Sequence, residues 1–357
     1  MAALSAALTK NHIPTPALAL DLDAFQSNLK RLSESALAAG KQFRPNAKAH
    51  KCPEIAKRQI AAGACGVCVA TVSEAELMAR AGIGGLLLTS PVADPRKISR
   101  IVETGAMVVV DHVQQVAWYR KAARDVNRTV DVLVDLDVGD HRTGAIPGSQ
   151  ALEVARAVDR ANGLRLRGIQ AYSVSGSHGA SMEERLKNSR ETFRLAAEAR
   201  DGMLRDALPC EIVSGGSTGT WDIDLEFPEL TELQAGSYAL MDLAYRRIEI
   251  DFQNALTVLA TVVSANHHDF VTVDGGFKAF STDRGYGPEA VQLPGSIYRW
   301  AGDEFGNLHT DKLRLGDRVE FIPPHCDPTV NLYDRIYACR GEIVEEIWPV
   351  KSSGRQD

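Results

Sequence analysis

The run Phe43-Arg-Pro-Asn-Ala-Lys48 reads as a strand, and the amphipathic stretch Pro53–Ala62 behind it reads as a helix leading to a second apolar run at 66–71. Strand, helix and strand in that order make a parallel βα unit, because parallel neighbours need a crossover long enough to hold a helix. The pattern continues outward. Further runs stand near 85–90, 106–111, 130–137, 166–173, 210–214 and 232–240, separated by helical stretches such as Ser73–Ala81 and Met182–Asp206. Counted from residue 43 these are eight strands, the number that closes a (β/α)8 barrel. One earlier run at 17–22, followed by the helix Asp23–Ala39, is left over and is assigned to a second sheet.

After residue 250 the pattern changes to strands without intervening helices, at Thr257–Val263, Phe270–Val273, Arg318–Ile322 and Gly341–Val344. The expected fold is therefore α/β: a TIM-like barrel over 23–250, followed by a C-terminal β domain built from 251–357 together with 1–22. The polar tail Lys351–Asp357 is expected to be disordered. A chain of 357 residues is long enough for a large domain and a smaller one.

Composition narrows the partners. A net charge of −6, with basic residues interleaved among acids, gives no field for nucleic acid. No apolar run is long enough to cross a bilayer, and Met1–Leu8 lacks the basic lead of a secretory signal, so a cytoplasmic address is expected. Cysteines at 52, 65, 68, 210, 326 and 339 are too sparse for a disulfide framework, and reduced thiols are expected. Cys65-Gly-Val-Cys68 has CxxC spacing but merges into an apolar run, which reads as a buried strand.

In such a barrel, reactive groups belong where strands end, because those ends share one rim. Lys48 ends the first barrel strand, Asp140-His-Arg142 follows the fifth, and Tyr172 and His178 follow the sixth. Ser214-Gly-Gly-Ser-Thr-Gly-Thr220 follows the seventh, and Gly236-Ser-Tyr238 lies in the eighth. The loop 214–220 (Ser214, Gly216, Ser217, Thr218) lets backbone N–H groups wrap an anion, and with Gly236 and Ser237 it occupies the usual phosphate position of a barrel. A rim lysine can form an imine, its pKa lowered by burial and by the cationic neighbours Arg44 and Lys51. Imine and phosphate clamp together point to pyridoxal phosphate.

In the β segment, His325 and Asp327 stand two apart and share a face if the chain there is extended. An imidazole and a carboxylate can seat a divalent ion, although an isolated His-x-Asp is a weak motif.

Several segments resemble, in order, the D-threonine aldolase family of alanine-racemase-type pyridoxal-phosphate enzymes, which is related to D-serine and D-3-hydroxyaspartate dehydratases. They are Arg44–Ala56, Asp131–Gly139, Gln170-Ala-Tyr172, Ser214–Thr220, Thr231–Tyr238 and His325-Cys-Asp-Pro-Thr329. The resemblance implies that Lys48 bonds the cofactor, that Arg142 and Tyr172 flank its ring, and that the 214–220 loop with Gly236, Ser237 and Tyr238 binds it. It further implies His178 as catalytic base, and His325 with Asp327 as ligands of a divalent metal, Mn²⁺ foremost, with Zn²⁺ or Mg²⁺ as alternatives. The implied activity is cleavage of a D-3-hydroxy amino acid to glycine and an aldehyde by a homodimer. A dehydratase of such substrates and a non-enzymatic cofactor carrier are the rival readings. Asn46 replaces the family's usual His, and Ser173-Val174 replaces its usual His-Gly, so two imidazoles expected near the cofactor are absent.

Overall fold

The computed structural model describes residues 8–351 and 357. The signal-peptide and disordered-tail expectations fall largely on residues 1–7 and 352–356, which lie outside the described residues. The chain forms two compact units. Of the described residues, one unit gathers those through Lys30, Ala49–Cys52 and Ser237 to Lys351; the other holds Arg31–Lys48, Pro53–Gly236 and Asp357.

Strand β1 (Ala17–Asp21) belongs to the first unit and the next eight to the second: β2 (Gln42–Phe43), β3 (Val67–Val69), β4 (Leu86–Leu88), β5 (Met107–Val110), β6 (Val130–Asp135), β7 (Leu164–Ala171), β8 (Ile212–Gly215) and β9 (Glu232–Leu233). The eight pair in parallel in the order β2-β9-β8-β7-β6-β5-β4-β3. A parallel bridge from Asn46 to Cys68, with the Cys68 N–H donating to the Pro45 carbonyl at 2.8 Å, joins the two ends of that order. Val-Cys-Val, Leu-Leu-Leu and Met-Val-Val-Val are apolar throughout because strands covered on both faces must be. Cys68 packs with Leu87, Val109 and Leu133, so the CxxC ends in barrel core. Burial pushes the Cys65 thiol up to about 11 and that of Cys68 well above its ordinary value.

The helices between strands follow from local signals. Pro95–Thr104, for example, opens with Asp94 accepting from the Arg96 N–H and with proline at its first position. It buries Ile98, Ile101 and Val102, and stops at Gly105, whose φ of +75° is costly for any residue with a Cβ.

The other unit is a nine-stranded, mostly antiparallel sheet. Its members besides β1 are β10 (Leu256–Ser264), β11 (Val271–Val273), β12 (Glu289–Ala290), β13 (Tyr298–Trp300), β14 (Gly306–Leu308), β15 (Arg318–Ile322), β16 (Arg335–Arg340) and β17 (Ile343–Pro349). Strand β1 lies between β10 and β16, with Leu18 opposite both Val258 and Ile336, and buries Ala17 to Leu20 without alternation.

Three sequence expectations change here. The run at 43–48 is a strand only at its start, and Lys48 stands in a 3₁₀ turn, Ala47–Ala49. Gly236-Ser-Tyr238 follows the eighth barrel strand, which spans only Glu232–Leu233. Gly341-Glu-Ile-Val344 begins as the hairpin turn between β16 and β17, with Gly341 at φ +55°, because a tight reversal selects a residue that tolerates positive φ.

Candidate active site

Within the barrel unit, the candidate residues gather at the C-terminal ends of strands. Lys48 follows β2, Arg142 follows β6, Tyr172 directly follows β7, Ser214 lies within β8, and Gly236 follows β9. The Lys48 turn is shaped by Asn46, whose side-chain oxygen accepts the Lys48 N–H at 3.2 Å. The Asn46 N–H donates to the Ala235 carbonyl at 3.3 Å, and a Cβ at Gly236 would come within 2.7 Å of the Asn46 carbonyl oxygen. Asn46 thus ties the lysine's turn to the end of β9. Lys48 itself is half-buried.

Beside β9, the loop after β8 is packed backbone to backbone. Gly216 has φ +73°, and a Cβ on Gly219 would fall 1.8 Å from the Ser177 carbonyl oxygen, so glycine is required at both positions. Asp224 holds this loop from behind, accepting from the hydroxyls of Thr220 and of Ser189, the latter at 2.6 Å, and from the Ser217 N–H. Ser217 Oγ donates to Thr220 Oγ1 at 2.9 Å, and Ser214 Oγ accepts from Gln234 Nε2 at 2.8 Å. The hydroxyls of Ser214, Ser217 and Thr220 therefore build the loop's frame. Its glycine backbone and small residues suit the close approach of an anion.

Burial pushes the Asp224 carboxyl up to about 7, against the pull of its hydrogen bonds. Its folded pKa lies above its unfolded value, so it favours the folded state at acid pH, and that contribution is lost as pH rises from about 4 through about 7. Urea midpoints of wild type are expected to fall across this window, and Asp224→Asn to flatten the fall, the difference at pH 8 approaching about 4 kcal/mol. Parallel slopes for the two proteins would refute a neutral buried acid.

Arg142 lies over the Tyr172 ring, with Cζ 5.4 Å from its centroid. The pairing is set by Asp140, which accepts from the N–H groups of Val174 and Ser175, the latter at 3.1 Å, and so ties the loop after β6 to the loop after β7. Ser173 caps the short helix Val174–Ser177 by accepting the Gly176 N–H at 3.0 Å, and His178 ends that helix, half-buried. Cap and clamp thus occupy the stretch where the family has His-Gly.

Beneath these loops runs a buried polar network whose partners sequence reasoning did not connect. Gln170 Nε2 donates to Asp135 at 2.7 Å and to the Thr89 carbonyl at 3.0 Å, and Gln234 Nε2 donates to Gln170 at 3.1 Å as well as to Ser214. Polar side chains at the ends of otherwise apolar parallel strands were the available signal. Burial raises the Asp135 carboxyl to about 6.

The two cations expected to act on Lys48 are engaged elsewhere. Arg44 forms a buried two-pronged pair with Glu232, Nε at 3.0 Å and Nη2 at 2.8 Å, and Lys51 Nζ donates to Asn331 at 2.7 Å. Glu232 offsets the Arg44 charge, and the Asn331 amide oxygen accepts one donor of Lys51.

In the β unit, His325 and Asp327 are not on an extended segment. His325 precedes the short helix Cys326–Val330, and Asp327 lies in its first turn. His325 Nδ1 meets Asp283 Oδ2 at 2.8 Å, which makes Nε2 the ring nitrogen suited to a metal. Asp327 Oδ1 accepts from Ser237 Oγ at 3.1 Å and from Cys326 Sγ at 3.2 Å. Asp242, whose carboxyl is raised above its ordinary value by burial, accepts the Cys326 N–H at 2.8 Å. An imidazole backed by a carboxylate is a donor set that fits a divalent ion, although no group of three or more potential ligands occurs among the described residues. Ser237, expected at a phosphate, has its hydroxyl on Asp327, and Tyr238 is fully buried with its ring against Phe252.

The alanine racemase N-terminal domain family matches residues 20–243, and a putative serine dehydratase domain matches 255–339. The chain is 36% identical to a D-threonine aldolase of an Arthrobacter species, over 96% of this chain and 93% of that one. It is also 36% identical to a 3-hydroxy-D-aspartate aldolase of Paracoccus denitrificans, over 98% and 94%. The crystal structure of a D-threonine aldolase from Filomicrobium marinum, 36% identical, superposes with a TM-score of 0.95 over 98% of both chains. Likeness of this extent, through both units, leaves no part of the fold unaccounted for, and the chain belongs to the D-threonine aldolase family of lyases, within the pyridoxal-phosphate-dependent group built on the alanine-racemase fold.

Proposed function

We propose that this chain is a pyridoxal-phosphate- and divalent-metal-dependent aldolase that cleaves D-3-hydroxy amino acids to glycine and an aldehyde. The observation that carries the reading is the hydrogen-bonded link from the Lys48 turn, through Asn46, to the end of β9, beside the glycine-rich loop after β8. A primary amine and an anion cradle on neighbouring strand ends are what this cofactor requires of a protein.

The loop 214–220 with Gly236 would hold the phosphate, Lys48 the aldehyde carbon, and the Arg142–Tyr172 pair the ring, whose electron-accepting capacity is the chemistry the cofactor supplies. His325 and Asp327 would hold an ion that acidifies the substrate's 3-hydroxyl. His178 takes the hydroxyl proton as the Cα–Cβ bond breaks. The Lys48 amine, which would hold the cofactor between turnovers, would return a proton to Cα. One proton leaves oxygen, one is gained at carbon, and glycine and aldehyde result. Ser173 and Asn46 stand where the family carries imidazoles and are expected to bear on which aldehyde is accepted.

The test is incubation of purified holoprotein with D-threonine, D-phenylserine, D-serine and D-3-hydroxyaspartate, with and without a chelator. Glycine and an aldehyde are expected from at least one substrate, with activity lost on chelation and restored by Mn²⁺. Ammonia and a 2-oxo acid as the products would overturn the aldolase reading.

A further inference from the structure

Asp283 has no part in the scheme above, yet it contacts one of its residues directly. Its Oδ2 lies 2.8 Å from His325 Nδ1, and the same oxygen is 3.5 Å from Arg284 Nε. The contact is built into the fold. Ser281 and Thr329, both buried, donate their hydroxyls to the His325 carbonyl at 3.1 and 2.7 Å, and the Ser281 N–H donates to Thr329 Oγ1 at 3.0 Å. These bonds fix the register of the segment 281–283 against the helix Cys326–Val330, and that register brings the Asp283 carboxylate to the imidazole.

We infer that Asp283 is a positioning residue: it holds His325 as the Nδ1–H tautomer and thereby delivers Nε2 to the divalent ion. The inference rests on the reading of His325 as a metal ligand. A neutral imidazole has one N–H and one lone pair, so a carboxylate that accepts at Nδ1 leaves the lone pair at Nε2. Without it, the ring can populate the tautomer that presents N–H where the ion should sit, and it can rotate.

The experiment strips the full-length holoprotein of metal with a chelator and titrates it with Mn²⁺ and, separately, with Co²⁺, reading affinity by calorimetry and coordination by the Co²⁺ visible spectrum. His325→Ala, Asp283→Ala and Asp283→Asn are compared with wild type. His325→Ala should bind neither ion measurably. Asp283→Ala should lose about 10- to 100-fold in affinity with the spectrum retained in shape, as an outer-shell partner does. Asp283→Asn, which can still accept from Nδ1–H but carries no charge, should recover part of the loss. Asp283 is half-exposed, so the substitutions are expected to fold, and circular dichroism checks it. Unchanged affinity in Asp283→Ala, with binding lost in His325→Ala, would overturn the inference and leave the metal reading standing. Unchanged affinity in His325→Ala would overturn the metal reading itself. A loss in Asp283→Ala as complete as in His325→Ala, with a changed Co²⁺ spectrum in Asp283→Asn, would make Asp283 a ligand and overturn the positioning role.

Discussion

Lys48→Ala is expected to lower turnover of a D-3-hydroxy amino acid by roughly 10³-fold or more and to abolish attachment of the cofactor on borohydride treatment, while leaving the fold intact. Lysine has two tasks in the proposed scheme, anchoring the cofactor and moving a proton at Cα, and a positioned acid–base group alone contributes roughly 10²- to 10⁴-fold. The fold should survive because the backbone N–H of position 48, between Ala47 and Ala49, donates to Asn46 whatever the side chain. Lys48→Arg keeps a cation but not a primary amine and should fail equally, which separates covalent chemistry from charge. The measurement is intact mass after borohydride, beside turnover and melting temperature. A cofactor adduct persisting in Lys48→Ala, or turnover within tenfold of wild type, would remove Lys48 from its assigned place.

Much of this was legible because it is local. Eight strand-and-helix repeats and one leftover strand can be counted along the chain, and the rim residues follow from where each strand ends. What was not legible depends on partners far apart in sequence. Nothing near Asp283 announces His325, 42 residues on, and nothing near Gln170 announces Gln234, 64 residues on. His325-Cys-Asp327 does not meet the extended condition on which a shared face was argued, and the local reason was available. Pro328 sits in the first turn of the helix, where a missing N–H costs nothing, and a proline at that offset from a capping residue signals a helix start. The ion-pair partner of Arg44 was equally out of reach of local reading, because Glu232 comes from a strand 188 residues away.

That partner sets the largest expected effect on stability. Strand β2 pairs with β9 over Gln42–Glu232 and Phe43–Leu233, and the N–H groups of Gln42, Arg44 and Asn46 donate to the carbonyls of Thr231, Leu233 and Ala235 along this seam of the barrel. Side chains add to it: Arg44 grips both oxygens of Glu232 and also donates from Nη1 to the carbonyl of Gly85, the residue before β4. Burial would favour a neutral Arg44, but its bonds to Glu232 win and raise its pKa above the usual arginine value, so the pair is ionic as well as buried. Glu232→Gln keeps the shape and removes the charge, leaving a buried guanidinium unpaired, and should cost about 3–5 kcal/mol, read as a lowered urea midpoint at constant slope. Arg44→Met combined with Glu232→Leu should recover most of that loss, since an apolar pair avoids the desolvation of two charges. Equal instability in the double and single variants would mean that packing, not charge pairing, holds the seam. The Lys48 turn begins three residues beyond Arg44, so Glu232→Gln should also weaken cofactor retention, whereas Lys48→Ala should leave the urea midpoint where it was.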